Sequence, residues 1–240
     1  MIRKPSKRKI VNIAVDGPSG AGKSTLAKGI AAAVGICYVD TGAIYRTLGL
    51  AAMRAGVDPS DPVTVAGLLE SVSVGLDFVD GKQINILDGE PVGDEIRTPA
   101  ASVYASRISA LPDVRRFLLD LQRRTAKERS TVMDGRDIGT VILPDADVKI
   151  FLSAAPEERA KRRFLELKEK GTECDFETVL ADILARDERD STRALAPLKP
   201  AEDAVLLDNS DIGPEETVDA ALKIIYRKIP RRSRAGGNKK

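Results

Sequence analysis

Apolar residues fall into two rhythms along this chain. Short β-branched runs such as Ile10-Val11-Asn12-Ile13-Ala14-Val15 read as buried strands. Between them, apolar positions recur at helical spacing, as at Leu26, Ile30 and Val34, and mark one face of a helix. The pattern predicts further strands at 36–39, 131–134, 148–152 and 205–207. It predicts helices at 43–55, stopped by Gly56, and at 214–228. Another helix is expected to include 156–170, with Ser153 as its cap. Strands and helices in alternation imply an α/β fold, a parallel five-stranded sheet flanked by helices.

One region breaks this rhythm. From about 58 to 100 the chain reads as a small insert. Residues 71–79 and 83–87 look like strands joined through Asp80-Gly81, and Asp88-Gly89 offers a second tight turn. Helical signals resume at Thr98-Pro99, a cap followed by a first-turn proline, and at Pro112. Residues 1–9 carry five basic residues, and 231–240 read RRSRAGGNKK. Both are expected to be solvated tails around a single domain at 10–230. Neither interleaves aromatic residues, so a nucleic-acid arm is not expected.

Composition narrows the chemistry. Of 240 residues 31% are charged, yet the net charge is only +2, which gives no general attraction to nucleic acid or anionic membrane. Histidine is absent, which excludes a Ser-His-Asp triad, a histidine base and a His-type zinc site. Cys37 and Cys174 form no CxxC pair and suit a reducing compartment, so a cytoplasmic protein is expected. No apolar run approaches a membrane span of about 20 residues.

The segment Gly17-Pro18-Ser19-Gly20-Ala21-Gly22-Lys23-Ser24 matches GxxxxGK[ST], between a predicted strand and a predicted helix. Glycines let successive N–H groups turn inward toward phosphate oxygens, and the helix N-terminus adds its positive end. Lys23 would reach the β- and γ-phosphates, Ser24 would ligate Mg²⁺, and Thr25 would add an α-phosphate contact. Alone, the motif implies a P-loop NTPase fold and a nucleoside triphosphate; GTPases, ATPases and small-molecule kinases share it.

Three further segments follow predicted strands or helices. Asp40-Thr41-Gly42-Ala43-Ile44-Tyr45-Arg46 is either a capped helix with a surface arginine or a loop facing the glycines across a strand-end crevice. Met133-Asp134-Gly135-Arg136-Asp137-Ile138-Gly139-Thr140 is either an ordinary turn or a second wall of that crevice, with Asp134 near the metal. In 186–193, Arg186, Asp190 and Arg193 share one face if the segment is helical. That run is either a solvated, salt-bridged face or, with Arg159, Arg162 and Arg163, half of a lid at about 159–193.

Taken together, DGPSGAGKST, DTGAIYR, DGRDIGT, VKIFLSAAPEERAKRR and RDERDSTRALAPL resemble the bacterial cytidylate kinase family over nearly the whole chain except the tails. The family often has Ser where Thr41 stands, which keeps the hydroxyl. The resemblance implies a monomeric phosphotransferase using ATP, Mg²⁺ and CMP or dCMP. It implies that residues 17–25 hold ATP, that Ser24 and Asp134 meet the metal, and that Thr41, Arg46, Arg136 and Arg193 surround the acceptor phosphate. Ser106, Arg115 and Asp137 would then recognise cytosine, Arg186 and Asp190 the ribose, and Tyr45 would support the pocket. Lys23, Arg136, Arg186 and Arg193 would neutralise charge during transfer. Two rivals stay open on the residues alone: a kinase for another small acceptor, and a P-loop switch or nucleic-acid-stimulated ATPase.

Overall fold

β-branched and apolar runs form strands wherever both sheet faces are covered. The computed structural model describes residues 10–229, so the expected tails at 1–9 and 231–240 lie outside the described residues. In chain order come β1 (Asn12–Asp16), α1 (Lys23–Val34), β2 (Cys37–Asp40), α2 (Thr41–Arg54) and α3 (Pro62–Ser71). The insert strands follow: β3 (Val74–Val79), β4 (Lys82–Leu87) and β5 (Glu90–Val92). A 3₁₀ turn (Asp94–Arg97) leads to α4 (Pro99–Ile108), α5 (Pro112–Glu128), β6 (Thr131–Gly135) and a π-helical turn (Ile138–Ile142). The chain closes with β7 (Val148–Ser153), α6 (Pro156–Glu169), α7 (Phe176–Thr192), β8 (Val205–Asp208) and α8 (Pro214–Lys228).

The main sheet has five strands in the order β2-β6-β1-β7-β8. All its pairings are parallel, with Val15 opposite Asp134 and Ile150. Alternation along the strands serves both faces. Ile13 and Val15 pack with Leu26, Ile30 and Ile225 on the α1/α8 side, while Ala14 and Met133 pack with Ile44, Leu48 and Leu118 on the α2/α5 side. Burying both faces sends the polar ends of β1, β2 and β6 to one carboxyl edge, where open α/β sheets hold their ligands. A smaller cluster of Ala160, Val179, Ile183, Phe164 and Phe176 holds α6 against α7.

The insert is a three-stranded antiparallel sheet, as expected. Asp80 (φ 51°) with Gly81 (φ 74°), and Asp88 (φ 51°) with Gly89 (φ 86°), put both central turn residues in the left-handed region, which suits the strand twist. The expected strand at 71–79 is shorter, because α3 occupies the chain up to Ser71. Asp61 caps that helix through Val63 N–H (3.1 Å) and Pro62 stands in its first turn. Ser153 is no helix cap. It ends β7, its carbonyl accepts from Asn209 N–H, and α6 starts from Ala155 with no side-chain cap. Arg193 is not on α7 but just past its end, in extended backbone (φ −58°, ψ 139°).

Candidate active site

The Gly-rich loop leaves β1 at Gly17, where φ is +151° and a Cβ would stand 2.0 Å from Leu152 O. No side chain fits, so glycine lets the loop start hard against β7. Gly22 precedes α1 in the left-handed region (φ 89°), and no side chain caps the helix. The first-turn amides are therefore not spent on a cap, and they carry the helix's positive end. Lys23 is buried and donates to Pro18 O at 2.5 Å. Burial, then the nearby Arg136 charge, hold its ammonium well below the usual lysine range.

The Ser24 hydroxyl donates to Asp134 Oδ2 (2.7 Å), and Tyr38 donates to Asp134 Oδ1 (3.2 Å). Burial and the Asp40 charge raise Asp134 from the ordinary carboxyl value, while Ser24 and Lys23 act against the rise. A hydroxyl and a carboxylate in contact at the mouth of a phosphate loop are hard oxygen donors. They fit Mg²⁺, which commonly takes one or two protein ligands and keeps several waters.

Across from the loop the site is built from ion pairs. Asp40 caps α2 through Ala43 N–H (2.8 Å) and pairs with Arg46 (2.9 Å). Thr41 Oγ1 donates to Asp134 O (2.7 Å), which ties the loops after β2 and β6 together. Arg136 pairs with Asp190 of α7 (2.8 Å). Arg115 donates to Asp137 through Nη2 and to Ser109 O through Nη1 (3.0 Å). Arg193 donates to Ala196 O through Nε (2.6 Å), and its Nη2 lies 3.6 Å from Asp137 Oδ1.

The cations outrun their partners. Among the described residues, Arg46 Nε, Arg186 Nε and Arg193 Nη2 are buried with no hydrogen-bond acceptor. Burial and the Arg136 charge push the Arg186 pKa down. Burial opposes ionisation of Asp190, yet Arg136's charge and hydrogen bond hold its carboxyl below the usual range. Buried guanidinium donors without acceptors are costly unless an anion meets them.

Every acceptor-side residue expected from the sequence, from Thr41 and Tyr45 through Ser106 and Arg115 to Arg186, Asp190 and Arg193, lines one cavity of about 880 Å³. So do Ser19, Gly20, Gly22, Lys23, Ser24 and Thr25, whereas Gly17, Pro18 and Ala21 do not line it. Sequence reasoning took Arg159 only as a lid cation and missed Gln83 and Asp16. Arg159 is buried and binds Ala154 O (2.9 Å), Ser19 O (3.1 Å) and Asp187 (2.7 Å), so it braces the loop against α7. Gln83 of the insert accepts from Asp40 N–H (2.7 Å) and donates to Asp40 O (3.2 Å). Asp16 closes β1, and burial raises its carboxyl to about 6. The one signal for Asp16 was a carboxylate ending an apolar strand.

A five-stranded parallel sheet, a Gly-rich phosphate loop and a facing wall of arginines define a P-loop phosphotransferase with an anionic acceptor. Residues 13–227 match the family model described as cytidylate kinase. The chain is 46% identical over 221 residues to the cytidylate kinase of Caldicellulosiruptor bescii, covering 92% of this chain and 98% of that one. It is 48% identical over 213 residues to that of Geobacter sulfurreducens, covering 89% and 91%. The chain belongs to the cytidylate kinase family. Among solved structures, an uncharacterized protein from Eubacterium ventriosum shares the fold at TM-score 0.50 and 16% identity, over 90% of this chain and 98% of that one.

Proposed function

We propose that this protein transfers the γ-phosphoryl group of ATP to CMP or dCMP, giving ADP and CDP or dCDP. The observation that carries this reading is the set of buried guanidinium nitrogens on Arg46, Arg186 and Arg193 that find no hydrogen-bond acceptor among the described residues, in the same cavity as the Gly-rich loop. The loop amides, the α1 N-terminus and Lys23 hold the triphosphate. Thr41, Arg46, Arg136 and Arg193 take the acceptor phosphate. An oxygen of that phosphate, already anionic, forms the new bond to the γ-phosphorus as the bond to the β–γ bridging oxygen breaks. No general base is needed, which fits a chain without histidine. Catalysis then rests on in-line placement and charge neutralisation by Lys23, Arg136, Arg186 and Arg193. Ser24 and Asp134 would hold Mg²⁺, which neutralises charge on the phosphoryl oxygens when bound.

Base choice falls to Asp137, Arg115 and Ser106. Cytosine offers an exocyclic amine donor beside N3 and O2 acceptors. Asp137 accepts from the amine, while Arg115 and Ser106 donate to the acceptors. Uracil would set O4 against the carboxylate, and a mismatched buried polar group costs about 1–3 kcal/mol. Arg186 and Asp190 take the ribose, and Tyr45 backs the pocket. α6 and α7 act as a lid that keeps water from the γ-phosphate.

All these residues belong to one chain, so a monomer suffices. No described helix is long and apolar enough to cross a membrane, and Cys37 and Cys174 are unpaired, which supports a cytoplasmic setting. Phosphorus NMR of the purified protein with Mg-ATP tests the reading. CMP should be converted to CDP, with UMP and AMP converted far more slowly. Equal conversion of all three would overturn the cytosine assignment.

A further inference from the structure

Asp16 stands next to the Gly-rich loop, and sequence position alone would give it to the triphosphate side. Its side chain turns the other way. Oδ1 accepts from Ile138 N–H and Oδ2 from Gly139 N–H, both at 2.7 Å. Asp16 is buried, only 5% exposed, so water offers little alternative to these two bonds. The two amides open the π-helical turn, whose own N-terminal position, Asp137, supplies no side-chain cap. A carboxylate on successive first-turn amides acts as a cap supplied from a distant strand. Burial lifts the carboxyl to about 6, with the two amides and Lys23 pulling against the rise, so it is mostly ionised at neutral pH and both oxygens accept.

Asp137 directly precedes these two amides. Its own side chain is buried and pairs with the arginines of the base pocket, Arg115 and Arg193. Its carbonyl accepts from Val141 N–H (2.9 Å) and Ile142 N–H (3.2 Å), and Ile138 and Gly139 hold its C-terminal side. Ile138 is fully buried in the core, and Gly139 runs so close to β7 that a Cβ would stand 3.1 Å from Lys149 Cδ and 3.3 Å from Asp16 Oδ2. A further anchor is Asp16 itself, on the amides of Ile138 and Gly139.

We propose that Asp16 is a positioning residue for recognition of the acceptor's base, holding Asp137 in register through the amides of Ile138 and Gly139. This inference rests on the cytosine-binding role proposed for Asp137. β1 then serves both substrates, since its end starts the triphosphate loop while its last side chain sets the specificity loop.

Asp16→Asn tests it, because the amide keeps the shape but loses one acceptor and turns an N–H₂ toward a backbone N–H. KM for CMP should rise about ten- to hundredfold, and the CMP-to-UMP ratio of kcat/KM should shrink. KM for ATP should change far less, within about twofold, since the hydrogen bonds of Asp16 go to Ile138 and Gly139 and its charge acts on Lys23 less than those of Arg136 and Asp134 do. A rise confined to ATP would assign Asp16 to the triphosphate loop and overturn the proposal. A lower melting temperature with both KM values unchanged would make it merely structural and overturn it equally. Gly139→Ala presses on the same clamp from the other side and should give the same KM signature; an ATP effect alone would contradict it. Should Asp16→Asn not fold, this second variant decides. Wild-type protein measured in parallel separates the two levels: if it shows no preference for CMP over UMP, the base reading has failed before Asp16 is tested.

Discussion

The two walls of the cavity are built by different means. On one side the Gly-rich loop offers backbone amides, fixed by glycine geometry and a helix end. On the other, Arg46, Arg115 and Arg136 each lean on a carboxylate, Asp40, Asp137 and Asp190. An amide cradle has no internal partner to give up when phosphate arrives. The ion-pair wall must share or exchange partners, and each carboxylate both orients its arginine and competes with the incoming anion. Such a wall gains selectivity, because an anion that fails to match its geometry leaves buried charges unpaired. On the proposed function, the cradle serves a triphosphate and the wall one acceptor.

The largest way to break this contrast is at the cradle. Lys23→Ala should lower kcat on the order of 10³-fold while circular dichroism stays native; near-normal turnover would remove Lys23 from the reaction. On the wall, Arg186→Ala should lower kcat about 10²-fold and leave ATP binding by calorimetry within about twofold. A loss of ATP affinity instead would erase the division between the two sides.

A smaller effect lies where the sides meet. Asp16 has a folded pKa of about 6, above an unfolded value of about 3.9. The native state binds the extra proton between these values, so this group's contribution to stability declines as pH rises from about 4 to about 6, by up to about 3 kcal/mol. Urea midpoints at pH 4.5 and pH 7 should fall less with rising pH in Asp16→Asn than in the parent; parallel slopes would contradict the assignment. The smallest effect should come from Thr98, whose hydroxyl caps α4 through Ala101 N–H at 3.2 Å. Thr98→Ala should cost about 1 kcal/mol and lower Tm by roughly 2–4 °C with both KM values unchanged.

The same contrast explains what was legible in the sequence. A cradle made of consecutive residues is readable as a string, and residues 17–24 announced it, as the Asp-Gly turns announced the insert hairpins. The wall draws on α2, α4, α5, the loop after β6 and the end of α7. Its motifs were visible as strand-end loops, but its pairings were not. Arg136, after β6, meets Asp190 of α7 from 54 positions away, a pairing no local pattern announces. Local patterns also misled. Spacing places Arg193 on the α7 face, whereas the helix ends at Thr192 and the side chain reaches Asp137 from extended backbone. Residue 71 reads as the start of a strand, whereas the helix capped by Asp61 runs to Ser71 and β3 begins at Val74. Arg159 reads as one more lid cation, yet it is buried and already engaged.

The measurement that bears most directly on the division of labour is the ratio of kcat/KM for CMP to that for UMP, at saturating ATP, in the parent and in Asp137→Asn. The ratio should fall about tenfold or more in the variant, because the amide no longer presents two acceptors to the exocyclic amine, while KM for ATP holds steady. An unchanged ratio, or a change carried by KM for ATP, would contradict the assignment of base choice to the ion-pair wall.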